Sequence, residues 1–490
     1  MPSPLILTID VGSSSVRTLL FDEHAQQVPD FGDQIPYRIN TTPDGGVEID
    51  ADELAQRTAE SITGIARQLH EKNLKPAAIA FDTFWHNVLG VDAAGRPTTP
   101  IIHLFDTRSA AAAKQLASQI DARALHSRTG CVLHPSYLPA KLLWLSQALP
   151  DKFRATNRWM SFGEYFFLKL FGNPVASTSM VSGSGLWNQN ANDYDSSILS
   201  ILPIEKKQLA DPGEMDQPMT ALLPEYRSQW PDLDQIPWYP ALGDGACNNI
   251  GSGCIAPDRF ALMVGTSGAM RAVIESDRTM IPDGLWCYRV DRKRFVLGGA
   301  LSNGGEVFAW MKRTLALDPD KIESEIAAMT PGAHGLTVLP LFAGERSPNW
   351  RADARAAIIG MSLNTSPMEI LRASLESVAL RFRNIYDIML QVIGTPKEVI
   401  GSGGALLHSP AWTQMMADAL HNPITPCLEK EATSRGAAML ALERLGAIPH
   451  LDALPPALGG PIPSIDANHP IYERELANQR RLYTKLFEEN

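Results

Sequence analysis

The chain has 490 residues, more than a single hydrophobic core serves, so at least two domains are expected. Hydrophobic residues make up 44% and charged residues 20%, an ordinary globular mix, and a formal charge of −11 argues against nucleic acid as a partner, because binding a phosphate backbone draws on a basic surface. The five cysteines at 131, 247, 254, 287 and 427 are odd in number, widely spaced and without a CxxC pair, which points away from a zinc site and toward a reducing compartment.

The opening "MPSPLILTID" lacks the basic segment of a signal peptide, and no apolar run approaches the roughly 18 residues of a membrane span. A soluble cytoplasmic protein without a membrane partner is expected. Residues 5–22, "LILTIDVGSSSVRTLLFD", set two short apolar runs around a Gly/Ser turn, which predicts a β-hairpin with Asp10 at the end of its first strand. Strand follows strand here, so neither the dinucleotide fingerprint nor the GxxxxGK[ST] loop fits, and a dehydrogenase is disfavoured. Backbone N–H groups of Gly12, Ser13 and Ser14 can still cradle a phosphate, and Asp10 beside them can hold Mg²⁺ directly or through water. An ordinary hairpin is the competing reading.

Strand-like runs at 77–82 and 88–92 alternate with helical stretches at 52–70 and 109–120, the α/β pattern. Residues 190–240 are rich enough in Pro, Asp and Gly to mark loops and a boundary, which divides the chain into 1–240 and 241–490. Beyond it, "ALMVGTSGAMRAVIE" (261–275) repeats the order of the opening stretch, and Gly265-Thr266-Ser267 lines up with Gly12-Ser13-Ser14. Two such hairpins suggest a duplicated domain whose phosphate-binding turns face each other across a cleft. A third glycine-rich element, "EVIGSGGALLHSPAWTQMMADAL" (398–420), reads as strand, turn and helix N-terminus, and so as a candidate nucleoside clamp.

Taken together these motifs resemble the FGGY family of carbohydrate kinases, within the larger group that shares the actin and hexokinase ATPase fold. "DVGSSSVR" looks like the first phosphate motif, "GDGACNNIGSG" (243–253) like the catalytic segment, "VGTSGAMR" (264–271) like the second phosphate motif and "GSGGALLHSPAWTQ" (401–414) like the adenosine motif. Within the family, "VGTSGAMR", "GERSPNW" (344–350), "KLLWL" (141–145) and "STSMVSGSGLWN" (177–188) look most like gluconate kinases, with xylulose kinases next. The chain departs from the family's pattern at Ser13, usually Thr; at His408, usually a smaller polar residue; and in "HLFDTRS" (103–109), where a Trp usually precedes the DxR segment.

The resemblance implies an α/β fold of two duplicated actin/hexokinase-like (ribonuclease H-like) domains, the first for sugar and first phosphate motif, the second for nucleotide, with the last helix free to pack back on the first. It implies an ATP- and Mg²⁺-dependent kinase for a small sugar or sugar acid, most similar to those making 6-phosphogluconate from gluconate. A xylulose or other pentose or polyol kinase is the alternative, and an actin-like ATPase without a small acceptor the alternative from another class. By this likeness Asp244 is the general base, Asp10 serves the metal, and Gly265, Thr266, Gly304, Gly305, Gly403 and Gly404 cradle phosphates or line the nucleoside. The glycines flanking Asp244 are read as leaving its carboxylate accessible. Arg17 reads equally as a phosphate contact or a structural ion pair. His86, Asp106 and Arg108 are the sugar candidates, with Arg108 the nearest cation for a sugar acid's carboxylate. Oligomeric state is left open, a homodimer included.

Overall fold

Two sheets, one in each half, organise the computed structural model, which describes residues 3–12 and 14–488. The first runs, in spatial order, Leu242–Gly243, Ala78–Thr83, Ile6–Val11, Ser15–Phe21 and Gln27–Pro36. Its nucleus is the antiparallel hairpin of Ile6–Val11 with Ser15–Phe21, joined in parallel by Ala78–Thr83. Ile6–Val11 and Ala78–Thr83 are buried along their whole length, as strands covered on both faces must be. Helix Ala51–Glu71 packs on this sheet through Leu54, Ile62, Ile65 and Leu69 and starts at Asp50, whose carboxylate accepts from the Glu53 N–H.

The second sheet runs Trp286–Arg289, Arg294–Leu301, Gly268–Glu275, Arg259–Val264, Glu398–Ser402 and Ile424–Pro426. Here again an antiparallel hairpin, Arg259–Val264 with Gly268–Glu275, is joined in parallel by a later strand, Glu398–Ser402. The duplication read from the two hairpins is therefore present in the topology. Helix Pro367–Ile393 forms the centre of the second core, opened by Ser366 and Glu369 in a reciprocal capping box with Pro367 in the first turn.

The halves meet differently from the expected division. Leu242–Gly243 pairs with Ala78–Thr83, and helix Asp244–Gly251 puts Ala246, Cys247 and Ile250 into the first core, so the change of unit follows Gly251 rather than residue 240. Residues 190–240 are largely loops, yet Trp230 and Trp238 are each 1% exposed within the first core, which makes this segment part of the first unit. The element that crosses back is helix Ala432–Arg444, which packs on the first sheet and on helix Asp244–Gly251. That crossing needs glycine: a Cβ on Gly251 would lie 1.7 Å from the Ala432 carbonyl, and one on Gly436 would lie 1.9 Å from the Cys247 carbonyl. The last helix, His469–Phe487, instead stays with the second unit, burying Tyr472 and Leu476 in its core.

Candidate active site

Parallel strands leave their C-terminal ends free to present side chains to a ligand. In the first sheet Asp10 pairs in register with Asp82, Asp82 pairs with Leu242, and Asp244 follows that third strand as the first residue of its helix. Three aspartates thus gather at one sheet edge. Burial pushes Asp10 up to about 6, with Arg17 opposing and the charges of Asp244 and Glu431 adding to the rise. Asp82 is 0% exposed, neither of its oxygens has a donor partner, and burial together with the charges of Asp10 and Asp244 raises it well above the ordinary carboxylate range. Burial and mutual repulsion thus disfavour full ionisation of the Asp10–Asp82 pair, and a cation would relieve both.

Asp244 is half-buried, with its pKa raised by burial while the Arg271 charge and the N–H groups of Gly245 and Trp85 oppose. The Gly245 N–H donates to Asp244 Oδ1 at 2.7 Å. Gly243 and Gly245 have a different reason to be glycine from the one read in the sequence: a Cβ at Gly243 would stand 1.9 Å from the Trp85 ring, and one at Gly245 would stand 2.7 Å from it. They seat the indole. Trp85 Nε1–H donates to the Ser179 carbonyl at 3.0 Å, and Ser179 Oγ accepts from the Gly243 N–H at 3.1 Å, so the backbone just before Asp244 is held from both sides.

Beside the aspartates, the hairpin turn closes through the Gly12 N–H donating to the Ser15 carbonyl at 3.1 Å, with Ser14 exposed next to it. Ser13 lies outside the described residues. Arg17 stands opposite Asp10 across the hairpin, 3.5 Å from its carboxylate and 3.8 Å from that of Glu431, with about a third of its side chain exposed. Among the described residues no group of three or more His, Cys, Asp or Glu side chains forms a metal cage. The unpartnered oxygens of Asp82 and the raised Asp10 nevertheless fit Mg²⁺, which takes one or two carboxylates and completes its shell with phosphate and water oxygens.

In the second half, Gly265, Thr266 and Ser267 line a cleft of about 1030 Å³ together with Asp106, His134 and Arg346 from elsewhere in the chain. The three aspartates are not among its lining residues. Gly304 and Gly305 brace the hairpin, their N–H groups donating to the carbonyls of Thr266 and Gly265 at 3.2 and 2.8 Å. A Cβ on Gly304 would meet the Ser267 carbonyl at 2.6 Å, and one on Gly305 would meet Ala405 Cβ at 2.3 Å. Gly403, at φ +91°, would drive a Cβ to 2.4 Å from the Val264 carbonyl, whereas Gly404 has only His408 near it, at 3.5 Å. All six glycine and threonine candidates of this half are brought to one place, with the close packing of Gly304, Gly305 and Gly403 shaping the turn.

The sugar candidates separate. His86 holds φ +61° and its Nδ1–H donates to the Gly183 carbonyl at 2.7 Å. Burial and the nearby Arg346 charge push its pKa far down, so Nε2 is an acceptor for a hydroxyl. Lys141, from the "KLLWL" helix, is fully buried and donates to the His86 carbonyl, fixing that backbone from beneath. Asp106 and Arg108 grip each other instead: Arg108 Nη2 lies 2.6 Å from both Asp106 Oδ2 and Glu48 Oε1, its guanidinium stacks 4.5 Å over Trp144, and Asp106 Oδ2 also accepts from the Val47 N–H. With its cation engaged in this way, Arg108→Met should cost about 3 kcal/mol or more of stability by stranding two carboxylates, and should affect all acceptors alike. Thermal unfolding alongside acceptor kinetics checks both parts.

The first 247 residues of the matched region decide the lineage: the N-terminal domain model of the FGGY family of carbohydrate kinases matches residues 5–251, and the C-terminal domain model matches 260–443. The chain belongs to the FGGY family of carbohydrate kinases. Among curated relatives of this FGGY kinase, the gluconokinase of Bacillus subtilis (strain 168) is 27% identical over 93% of this chain and 90% of its own. The xylulose kinase of Staphylococcus xylosus is 24% identical over 89% and 90%. Of solved structures, the ligand-bound xylulose kinase from Lactobacillus acidophilus superposes with a TM-score of 0.91 and the gluconate kinase from Lactobacillus acidophilus with 0.90, each 25% identical and 99% covered on both sides. The chain is thus a carbohydrate kinase of two duplicated domains, and no described helix is long and apolar enough to cross a membrane.

Sequence reasoning passed over several residues at this FGGY site. Asp82 was findable, since "AAIAFD" repeats the apolar strand ending in aspartate seen in "LILTID". Arg271 and Arg346 stand within "VGTSGAMR" and "GERSPNW", but nothing local marks either as a site cation; Glu431, Tyr137 and Tyr288 carry no local signature, and only folding brings Tyr137 Oη within 2.6 Å of Tyr288 Oη from the other half of the chain.

Proposed function

We propose that this FGGY kinase transfers the γ-phosphoryl group of ATP to the terminal primary hydroxyl of gluconate, giving 6-phosphogluconate. The observation that carries the chemistry is Asp244, a half-buried carboxylate of raised pKa at the start of a helix, aligned with a pair of aspartates on neighbouring strand ends. The acceptor rests on likeness to gluconokinases over nearly the whole chain.

In this reading Asp244 accepts the hydroxyl proton as the oxygen attacks, and its raised pKa brings it nearer the operating pH, where a base works best. The Trp85 and Ser179 contacts hold its backbone, so the carboxylate reaches the hydroxyl without reorganising. Thr266 offers its backbone N–H to the phosphates from the opposite half, with Ser14 on the near side in a turn that Gly12 closes through its own N–H. Mg²⁺, held by Asp10 and Asp82, would neutralise charge on the phosphates. His86 Nε2 takes a sugar hydroxyl. A cytoplasmic setting accords with five cysteines that are all unpaired and buried.

The test is kcat/KM across gluconate, xylulose, ribulose and glycerol with ATP saturating. Gluconate should lead. A neutral ketose leading by ten-fold, about 1.4 kcal/mol of transition-state preference, would overturn the gluconate assignment and leave a sugar kinase for that ketose.

A further inference from the structure

We propose that Arg271 and Arg346 together bind the carboxylate of the acceptor and so select a sugar acid over a neutral sugar, a reading that rests on the gluconate assignment above. Arg271 lies in the middle of strand Gly268–Glu275, is 8% exposed, and has both Nε and Nη1 buried without a hydrogen-bond partner. Arg346, in "GERSPNW", has its Nε in the same state. Burial lowers the Arg271 pKa, the Asp244 charge opposes and the Arg346 charge adds to the lowering, which places both guanidinium groups at one site. Among the described residues neither takes part in an ion pair, whereas the buried Arg372 and Arg381 each hold a carboxylate and the buried Arg289 is held by the Gln189 and Arg292 carbonyls. Asp244 offsets part of the Arg271 charge without pairing with it, the half-buried Arg346 holds no carboxylate, and a planar carboxylate is the group their forked donors match.

Their placement also fits an open-chain acid. The Arg271 guanidinium carbon would be 3.4 Å from a Cβ built on Gly245, next to the proposed base, and its charge acts on Asp244. The Arg346 charge acts instead on His86, His134, Tyr137 and Tyr288, and its guanidinium stands 5.8 Å over the Trp350 ring. The cations therefore form a row leading from Asp244 toward the hydroxyl-binding side chains. An acid with its terminal hydroxyl at Asp244 can lay its carboxylate along that row. Arg346 also lines the cleft with Gly265, Thr266 and Ser267, so a phosphate of the nucleotide is the other anion of the same chemistry. The company of His86, Tyr137 and Tyr288 favours the acceptor.

The experiment compares Arg271→Met and Arg346→Met with Arg271→Lys and Arg346→Lys in the full chain. Steady-state kinetics are taken with gluconate, with glucitol, which carries a neutral CH₂OH in place of the carboxylate, and with ATP. Calorimetric titration of gluconate reads affinity where turnover is slow, and circular dichroism verifies the fold. Each Met variant should weaken gluconate by about ten- to a hundred-fold with KM for ATP within about two-fold of the parent, and each Lys variant should recover part of the loss. A rise in KM for ATP instead would give the guanidinium groups to the phosphates and overturn the proposal. A fall in kcat with gluconate affinity unchanged would also overturn it, making Arg271 a positioning residue for Asp244. Preference of the unaltered protein for a neutral ketose would sink the gluconate assignment separately, while the calorimetric affinity of the variants for gluconate would still decide what the arginines bind.

Discussion

Asp244→Asn should lower kcat by about 10²–10⁴-fold, the usual worth of a general base, while ATP binding and the fold survive. The amide keeps the shape of the side chain and can still accept the Gly245 N–H that orients Asp244 Oδ1. What it loses is basicity. Burial raises the Asp244 pKa above the ordinary aspartate value, so in the parent protein the acid limb of kcat should lie above that value and should flatten in the variant. Turnover near that of the parent with acceptor saturating would remove Asp244 from the mechanism.

Asp10→Asn should pull activity and stability in opposite directions. Activity should fall by at least about ten- to a hundred-fold, with a higher Mg²⁺ requirement, because a carboxylate ligand is lost. Stability should rise, and the sign follows from linkage: Asp10 is held at about 6 against an ordinary 3.8, so the folded protein binds this proton more tightly than the unfolded chain does. Its contribution to stability is therefore full below about pH 4 and is lost as pH rises through about 6, a change on the order of 3 kcal/mol. The variant should melt roughly 2–5 °C higher than the parent at pH 8 and close to it at pH 4. Thermal midpoints measured across that range without Mg²⁺ check this independently of turnover. A variant less stable than the parent at pH 8 would mean that the ion pair with Arg17, 3.5 Å away, outweighs burial.

Much of the fold was legible because its signals are local. The hairpins at 5–22 and 261–275 announce themselves by apolar runs around Gly/Ser turns, and helix Ala51–Glu71 by its apolar spacing and capping aspartate. What escaped was set by pairings distant in sequence. Nothing near residue 240 says that Leu242–Gly243 completes a sheet begun at Ile6, nor that Ala432–Arg444 returns to cover it; the second fact depends on Gly251 and Gly436 allowing two backbones to touch. At the site, single aspartates at strand ends were readable, but the cluster of Asp10, Asp82 and Asp244 exists only through strand register. Arg108 was the nearest cation in sequence and proved to be engaged by Asp106 and Glu48, whereas Arg271 and Arg346 lie far from the sugar segment along the chain.

The most direct measurement is ³¹P NMR of the mixture formed by the protein, ATP, Mg²⁺ and gluconate. The account predicts ADP together with a phosphate ester whose phosphorus couples to the methylene protons of the terminal carbon, formed in equal amounts. ADP released with inorganic phosphate alone, at a rate indifferent to gluconate, would contradict it.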